Sequence, residues 1–338
     1  LFDGENMHVE TTPIPSIEMG DIMIPRIILG HLPFVGESYQ GDERNKALAK
    51  TFSHVENTIN VIAKAVNDYG ITAIAVGAAS ESHLSSLLLD AVRKVREITR
   101  TELSLIPCLR IPLTLDGKPI DDYRRWVTYY AFERRIVGDN LIKKYVQDPI
   151  LLCRRGWAKR FPAAQEQSSP YSKEEIERLR INYAGLEVAL ASFKESKVVF
   201  AEAGSESDFL AMTDRLDLLE EFTHFLGTKL RCPVVLGLHH AGTSIPILET
   251  SDLDIVGYVT PINRIGALML PSQERALKAI KASRKRVIAI KPMAGGRIPP
   301  REAFEYVFNE AKADASMVGV ASEAEVDEDI PIALKALR

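Results

Sequence analysis

Six polar residues of this chain each stand at the end of a short apolar run: His31, Arg110, Glu202, His239, His240 and Lys291. Residues so placed converge on one pocket if the runs are parallel strands of a barrel, because barrel chemistry gathers at the C-terminal rim. Three chemistries would use them. Glu202 with His31 and one of the paired histidines offers carboxylate and imidazole to a divalent metal. No ligand spacing of the His-x-x-x-His kind accompanies them, so no metal is expected. Lys291, if its amine were desolvated, would form a Schiff base with a carbonyl. Arg110, Lys291 and the basic residues between 111 and 196 would together surround a phosphate or carboxylate. His239 and His240 cannot both face one pocket in a continuous strand, since successive side chains point to opposite faces. One of them is expected to pack outside. Each residue also has a plain structural reading, as a hydrogen-bonded core histidine or a solvated basic group.

The elements that must position these residues are legible as eight apolar runs. They are Arg26–Gly30, Thr72–Gly77, Leu103–Arg110, Lys197–Gly204, Pro233–His239, Asp254–Val259, the run from Val287 to Lys291, and the run from Ser316 to Val320. Runs apolar throughout suit strands buried on both faces of a parallel sheet. Helical patterns fill the gaps: Asn57 to Asp68 before Gly70, a capped helix opening at Ser80, then Leu210 to Leu226, Gln273 to Ala282 and Arg301 to Ala311. Eight strands alternating with helices predict an α/β fold, a (β/α)₈ TIM barrel, over residues 1–338 as a single domain. An open doubly wound sheet is less attractive, because no Gly-x-Gly-x-x-Gly follows the first run. Residues 1–25 read as an N-terminal hairpin or extension.

The spacing is regular except after the third strand, where residues 111–196 exceed what one helix and two loops require. The segment holds an aromatic and basic helix over Tyr123–Arg135, a strand-like Pro149–Cys153 and a helix from Lys173 to Phe193. It leaves the C-terminal end of its strand, so it is expected over the barrel mouth as a lid or as a homo-oligomer contact. Trp126, Tyr129 and Tyr130 beside Arg124 and Arg125 are expected to pack its inner face and not to bind nucleic acid, because the chain is net acidic.

Composition narrows the classes further. A hydrophobic content of 46% suits a globular protein with a sizeable core, and a formal charge of −4 implies no nucleic-acid partner. No apolar run approaches a membrane span, and the first residues lack the pattern of a signal peptide. The three cysteines, Cys108, Cys153 and Cys232, are odd in number and widely spaced, which points to a reducing cytoplasm.

Six segments, in order, resemble the aldo/keto reductase family. Ser16–Gly30 is similar to its opening hairpin and first strand, and Ala79-Ser-Glu-Ser-His-Leu84 to the start of its second helix. Val235-Leu-Gly-Leu-His-His240, the pair Leu253–Val256 with Pro261-Ile-Asn263, Lys291-Pro-Met-Ala-Gly-Gly-Arg297 and Val318–Val326 resemble the segments around its last four strands. The resemblance implies a TIM barrel, NADP(H) as cofactor and carbonyl reduction by an Asp, Tyr, Lys and His tetrad. It also implies Gly319, Ser322 and Asn263 as cofactor contacts. Some distant members carry an iron–sulfur cluster, but this chain has no four-cysteine tail for one. The tetrad positions are filled otherwise. Ala73–Ser80 holds neither Asp nor Tyr, Cys108-Leu-Arg110 stands where the Lys belongs, and Glu202-Ala-Gly-Ser205 where the His belongs. Arginine is a poor proton relay near neutral pH. Ser322 with Glu325 reads as a capping box, and Glu323, Glu325 and Asp327 would repel a phosphate there. The expectation is therefore a diverged barrel that binds a small anionic metabolite at its mouth. Glu202 or His239 would be its acid or base, with Arg110, Lys291 and His31 as further candidates. NADP-linked reduction and a non-catalytic binding role are the alternatives.

Overall fold

The computed structural model describes residues 14–338. Eight strands close into a parallel barrel, each pairing with the next and the last with the first. They are β1 (Ile27–Leu29), β2 (Ala73–Val76), β3 (Ser104–Leu109), β4 (Ala201–Ala203), β5 (Val234–Gly237), β6 (Gly257–Pro261), β7 (Arg286–Ile290) and β8 (Ala315–Val318). Every predicted run overlaps one of them, and the (β/α)₈ barrel is the observed fold. The strands read as apolar throughout because side chains alternate between the barrel interior and the surrounding helices, both of which are dry.

The helices follow from amphipathic patterning and their stops. In α1 (Val55–Tyr69), Ile59, Ile62 and Val66 are buried, and Gly70 ends the helix at a φ of 68°, its N–H reaching back to Ala65 and Val66. In α2 (His83–Thr99), Ser82 is the N-cap and accepts the Ser85 N–H, so the helix opens two residues later than Ser80 suggests. The helix expected over Leu210–Leu226 is two, α4 (Glu206–Met212) and α5 (Leu216–Leu230), broken where Asp214 takes a left-handed φ of 57°. Further outer helices are α6 (Ala241–Leu248), α7 (Gln273–Ala282), α8 (Pro300–Glu305) and α9 (Glu323–Ala336), and a helix over Asp42–Phe52 precedes α1. Among the described residues no helix is long and apolar enough to cross a membrane.

The barrel is plugged at its N-terminal end. Strands Ser16–Met19 and Ile22–Pro25 form a hairpin around Gly20, and Met19 and Ile24 are wholly buried against Ile28, Ile106, Phe200, Val235, Val259 and Ile288. This apolar layer closes one end, so any cavity must open at the other.

The segment 111–196 has its own small structure. Strands Leu113–Leu115, Lys118–Pro119 and Leu179–Ile181 make an antiparallel sheet, turned at Asp116 and Gly117, whose positive φ values of 49° and 78° suit a tight hairpin. The aromatic helix is α3 (Asp122–Val137), with Trp126, Tyr129 and Tyr130 buried as expected. Pro149–Cys153 is not a strand. Asp148 Oδ1 accepts the N–H of Ile150 and of Leu151, which curls the chain into a 3₁₀ turn at Leu151–Cys153. The predicted helix Lys173–Phe193 is interrupted as well, because buried Leu179 pairs with Leu115 in the small sheet.

Candidate functional site

The floor of the cavity comes from strand alternation. Ile106, Phe200, Val235, Ile288 and Ala315 belong to the apolar layer inside the barrel. Two residues further along the same strands stand Cys108, Glu202, Gly237, Ile290 and Met317, and all five line a cavity of about 590 Å³. Cys108 and Glu202 are register partners on β3 and β4. The Cys108 thiol donates to Glu202 Oε2 at 3.1 Å. Burial pushes the Glu202 carboxyl upward, only partly opposed by Cys108 and by the charge of Lys291. Burial, with Glu202 adding to it, also holds the Cys108 thiol protonated. The pair is a buried acid with a thiol donor. Gly237 makes room for it, since a β-carbon there would lie 2.5 Å from Glu202 Oε1.

Lys291 reaches this floor because the chain breaks alternation just after β7. Its φ of 56° is left-handed, an uncommon state for a non-glycine residue and one found at functional sites. Ala294, Gly295 and Gly296 are left-handed too, so the loop from 291 to 297 folds tightly over the rim. The Lys291 ammonium lies 4.8 Å from the centre of the Tyr39 ring, and it makes no ion pair or hydrogen bond among the described residues. Desolvation lowers its pKa to about 8, against the pull of Glu202, Glu37 and Cys108. His31 also lines the cavity, and burial together with the charge of Lys291 lowers it to about 4, so it is neutral at physiological pH.

His239 and His240 part company as alternation requires. Buried Asp208 on α4 accepts the backbone N–H of His239 at 2.6 Å and of His240 at 3.3 Å, and the hydroxyl of Ser244 at 2.5 Å. This clamp turns His239 into the cavity, where burial drives it neutral. His240 points the other way. It packs 4.2 Å from the Tyr129 ring centre, with Nδ1 3.0 Å from Glu133 Oε1 of α3, although out of line for a ring N–H bond. Burial disfavours its charge, but Glu133 and Asp208 outweigh that and raise it.

The structure thus brings His31, Glu202, His239 and Lys291 together, and leaves other candidates elsewhere. Arg110 does not line the cavity: its side chain is 76% exposed, held to Glu206 at 3.0 Å. Asn263 is fully buried and bonded both ways to the backbone of Ala267. Ser322 caps α9 by accepting the Glu325 N–H at 3.1 Å. Gly319 does line the cavity. The segment 111–196 contributes none of the lining residues, so it is not a lid over this cavity. It braces the rim from behind: Cys153 Sγ donates to Tyr39 O at 3.0 Å, and Arg297 donates to Pro149 O at 3.2 Å. Tyr39 and Cys108 were not among the sequence candidates. Alternation from Ile106 points to Cys108, whereas nothing in the sequence marks Tyr39, a loop residue with a φ of 58°. Among the described residues no group of three or more His, Cys, Asp or Glu side chains is arranged to hold a metal ion.

The cavity extends outward from the barrel axis to α9, between residues 37–48 and 291–300. A phosphate-bearing cofactor would be gripped at such a helix start by free N–H groups and basic side chains. Here Ser322 takes one N–H and Glu325 Oε2 takes that of Ala321 at 2.6 Å. Arg44, which lines this end, is engaged by Glu325 at 3.5 Å. Glu328 and Asp329 complete an acidic wall. These residues do not fit the phosphate of NADP(H).

No family model and no curated protein matches the sequence. Solved structures do match it. Two structures of proteins from Pseudomonas aeruginosa, provisionally named as aldo-keto reductase, align at TM-scores of 0.55 and 0.56 with 15% and 14% identity. They cover 99% and 98% of this chain, and 100% and 99% of their own. A protein provisionally named 2,5-diketo-D-gluconic acid reductase B aligns at 0.51 with 12% identity, over 96% of this chain and 89% of its own. At such identities the likeness is one of architecture: this chain is a (β/α)₈ barrel with the aldo-keto reductase fold.

Proposed function

We propose that the protein binds a small carbonyl- or carboxylate-bearing anionic metabolite in the barrel mouth and performs acid–base chemistry on it. Lys291 is the group that meets the carbonyl or carboxylate, and Glu202 is the buried proton source. The observation that supports this is a single arrangement: an unpaired, desolvated Lys291 amine above a Glu202 carboxyl that is itself buried and bonded by Cys108. Environments that shift two titratable groups toward neutrality in one cleft are what acid–base catalysis needs. His31 and His239, both neutral, add hydrogen-bonding capacity without adding charge.

The test uses glyoxylate with cyanoborohydride. The free amine attacks the carbonyl carbon, water leaves, and hydride from the reagent reduces the resulting imine to a stable secondary amine on Lys291. Selective labelling of Lys291 is expected, located by peptide mass analysis and absent in Lys291→Met. Its rate should rise as pH passes through about 8, where the amine loses its proton, and not near the ordinary lysine value. Uniform labelling of surface lysines, with Lys291 no faster than they are, would remove the reading.

NADP-linked reduction is the second reading, favoured by the outward reach of the cavity to α9. The acidic wall at that end weighs against it. Fluorescence titration with NADPH separates the two, since quenching at micromolar cofactor would restore the reductase.

A further inference from the structure

Besides Glu202, five carboxylates among the described residues are buried: Glu133, Asp148, Glu206, Asp208 and Asp329. Four are satisfied. Glu133 accepts from Tyr145 and Thr243, and Asp148 from Lys144 and the backbone of residues 150, 151 and 268. Glu206 accepts from Arg110, Arg125 and the Ile111 N–H, and Asp208 from Ser244 and two backbone N–H groups. Asp329 is 5% exposed and has no hydrogen bond or ion pair among the described residues. It lies nearly two turns into α9 and lines the outer end of the cavity.

Among the described residues no cation answers it. Burial disfavours its ionisation, and Glu325 and Glu328 on its own helix add negative charge to the same effect. The bases that approach this helix are committed to other acids, Lys64 of α1 to Asp327 and Arg44 to Glu325. A buried carboxyl without a partner is costly, and natural proteins keep one mainly where something else completes it.

We propose that the outer end of the cavity is a subsite for an organic ammonium group, received by Asp329 with Glu325 and Glu328 beside it. The ligand is then bipolar, with an amine at α9 and its carboxylate or carbonyl at Lys291. The bipolar part rests on the reading of Lys291 given above, whereas the ammonium subsite stands on Asp329 alone. A cavity of about 590 Å³ accommodates a small molecule spanning both ends.

The experiment titrates wild type, Asp329→Asn and Lys291→Met at pH 8 with hexylammonium and, separately, with hexanoate, followed by NMR. Hexylammonium is expected to bind the wild type, and Asp329→Asn to weaken it by about tenfold while hexanoate binding stays the same. Lys291→Met should do the reverse. The side-chain carboxyl carbon of Asp329 should also titrate at lower pH when hexylammonium is present, which a purely structural acid would not do. Wild type that fails to bind hexylammonium, or Asp329→Asn that binds it as well as wild type, overturns the subsite even if hexanoate still depends on Lys291. Hexanoate indifferent to Lys291→Met, with hexylammonium still dependent on Asp329, overturns the bipolar ligand and the Lys291 reading while the ammonium subsite stands.

Discussion

A methyl group on Gly237 would lie 2.5 Å from Glu202 Oε1 and 3.1 Å from the carbonyl of Ala203. Backbone on one side and a carboxyl on the other leave that group nowhere to go, so the Glu202 side chain would have to leave its thiol partner. Gly237→Ala is expected to cost about 1–3 kcal/mol in urea unfolding, the usual range for overpacking a filled site. In a Glu202→Ala background most of that cost should vanish, because the closer of the two obstructions is gone. Equal costs in both backgrounds would mean that Gly237 serves the backbone and not the carboxyl. At this scale the sequence is informative wherever alternation governs. Glu202 follows Phe200 and Cys108 follows Ile106 at a spacing of two, so both face inward with the core. It is uninformative where the strand has ended. Lys291 faces the cavity through a left-handed turn, and Arg110 turns to Glu206 instead, a difference set by partners distant in the chain.

The barrel strands and outer helices were readable because each is a local pattern with local stops, as Gly70 and Ser82 illustrate. The segment 111–196 was less so, since its breaks are made by tertiary partners: Leu179 by the sheet at Leu115, the 3₁₀ turn by Asp148. One buried tie between this segment and the barrel is Glu133 on α3. Its carboxylate takes the hydroxyls of Tyr145 at 2.7 Å and Thr243 at 2.8 Å and lies beside His240, all within a wholly buried shell. Removing one member leaves the others desolvated and unpaired, and that penalty exceeds the worth of the bonds themselves. Glu133→Ala is therefore expected to lose about 3–5 kcal/mol. Faster amide exchange should appear in α3 and in residues 238–244 together, because the clamp on His239 shares this turn. A loss below about 1 kcal/mol, or faster exchange in α3 alone, would mean that aromatic packing around Trp126 holds the segment without the charge network.

At the scale of the whole molecule the barrel is asymmetric along its axis. One end is sealed by an apolar hairpin, and the other opens on titratable groups that burial shifts toward neutrality. The two ends meet in a shared layer one or two residues deep on each strand that contributes to it, so lesions at either end should be separable. Met19 sits at the sealed end, fully buried in the apolar cluster that holds Phe200 and Val235. Met19→Ala is expected to lower stability by about 2–5 kcal/mol, as large-to-small core substitutions do. Glyoxylate trapping on Lys291 should keep its rate and its dependence on pH in that variant. Lys291→Met should do the opposite, abolishing the trapping with little loss of stability, because it removes a desolvated charge that makes no ion pair. If Met19→Ala instead shifted the pH profile of Lys291, the layer between the ends would be compliant. The lowered lysine pKa would then depend on packing throughout the barrel and not on the rim alone.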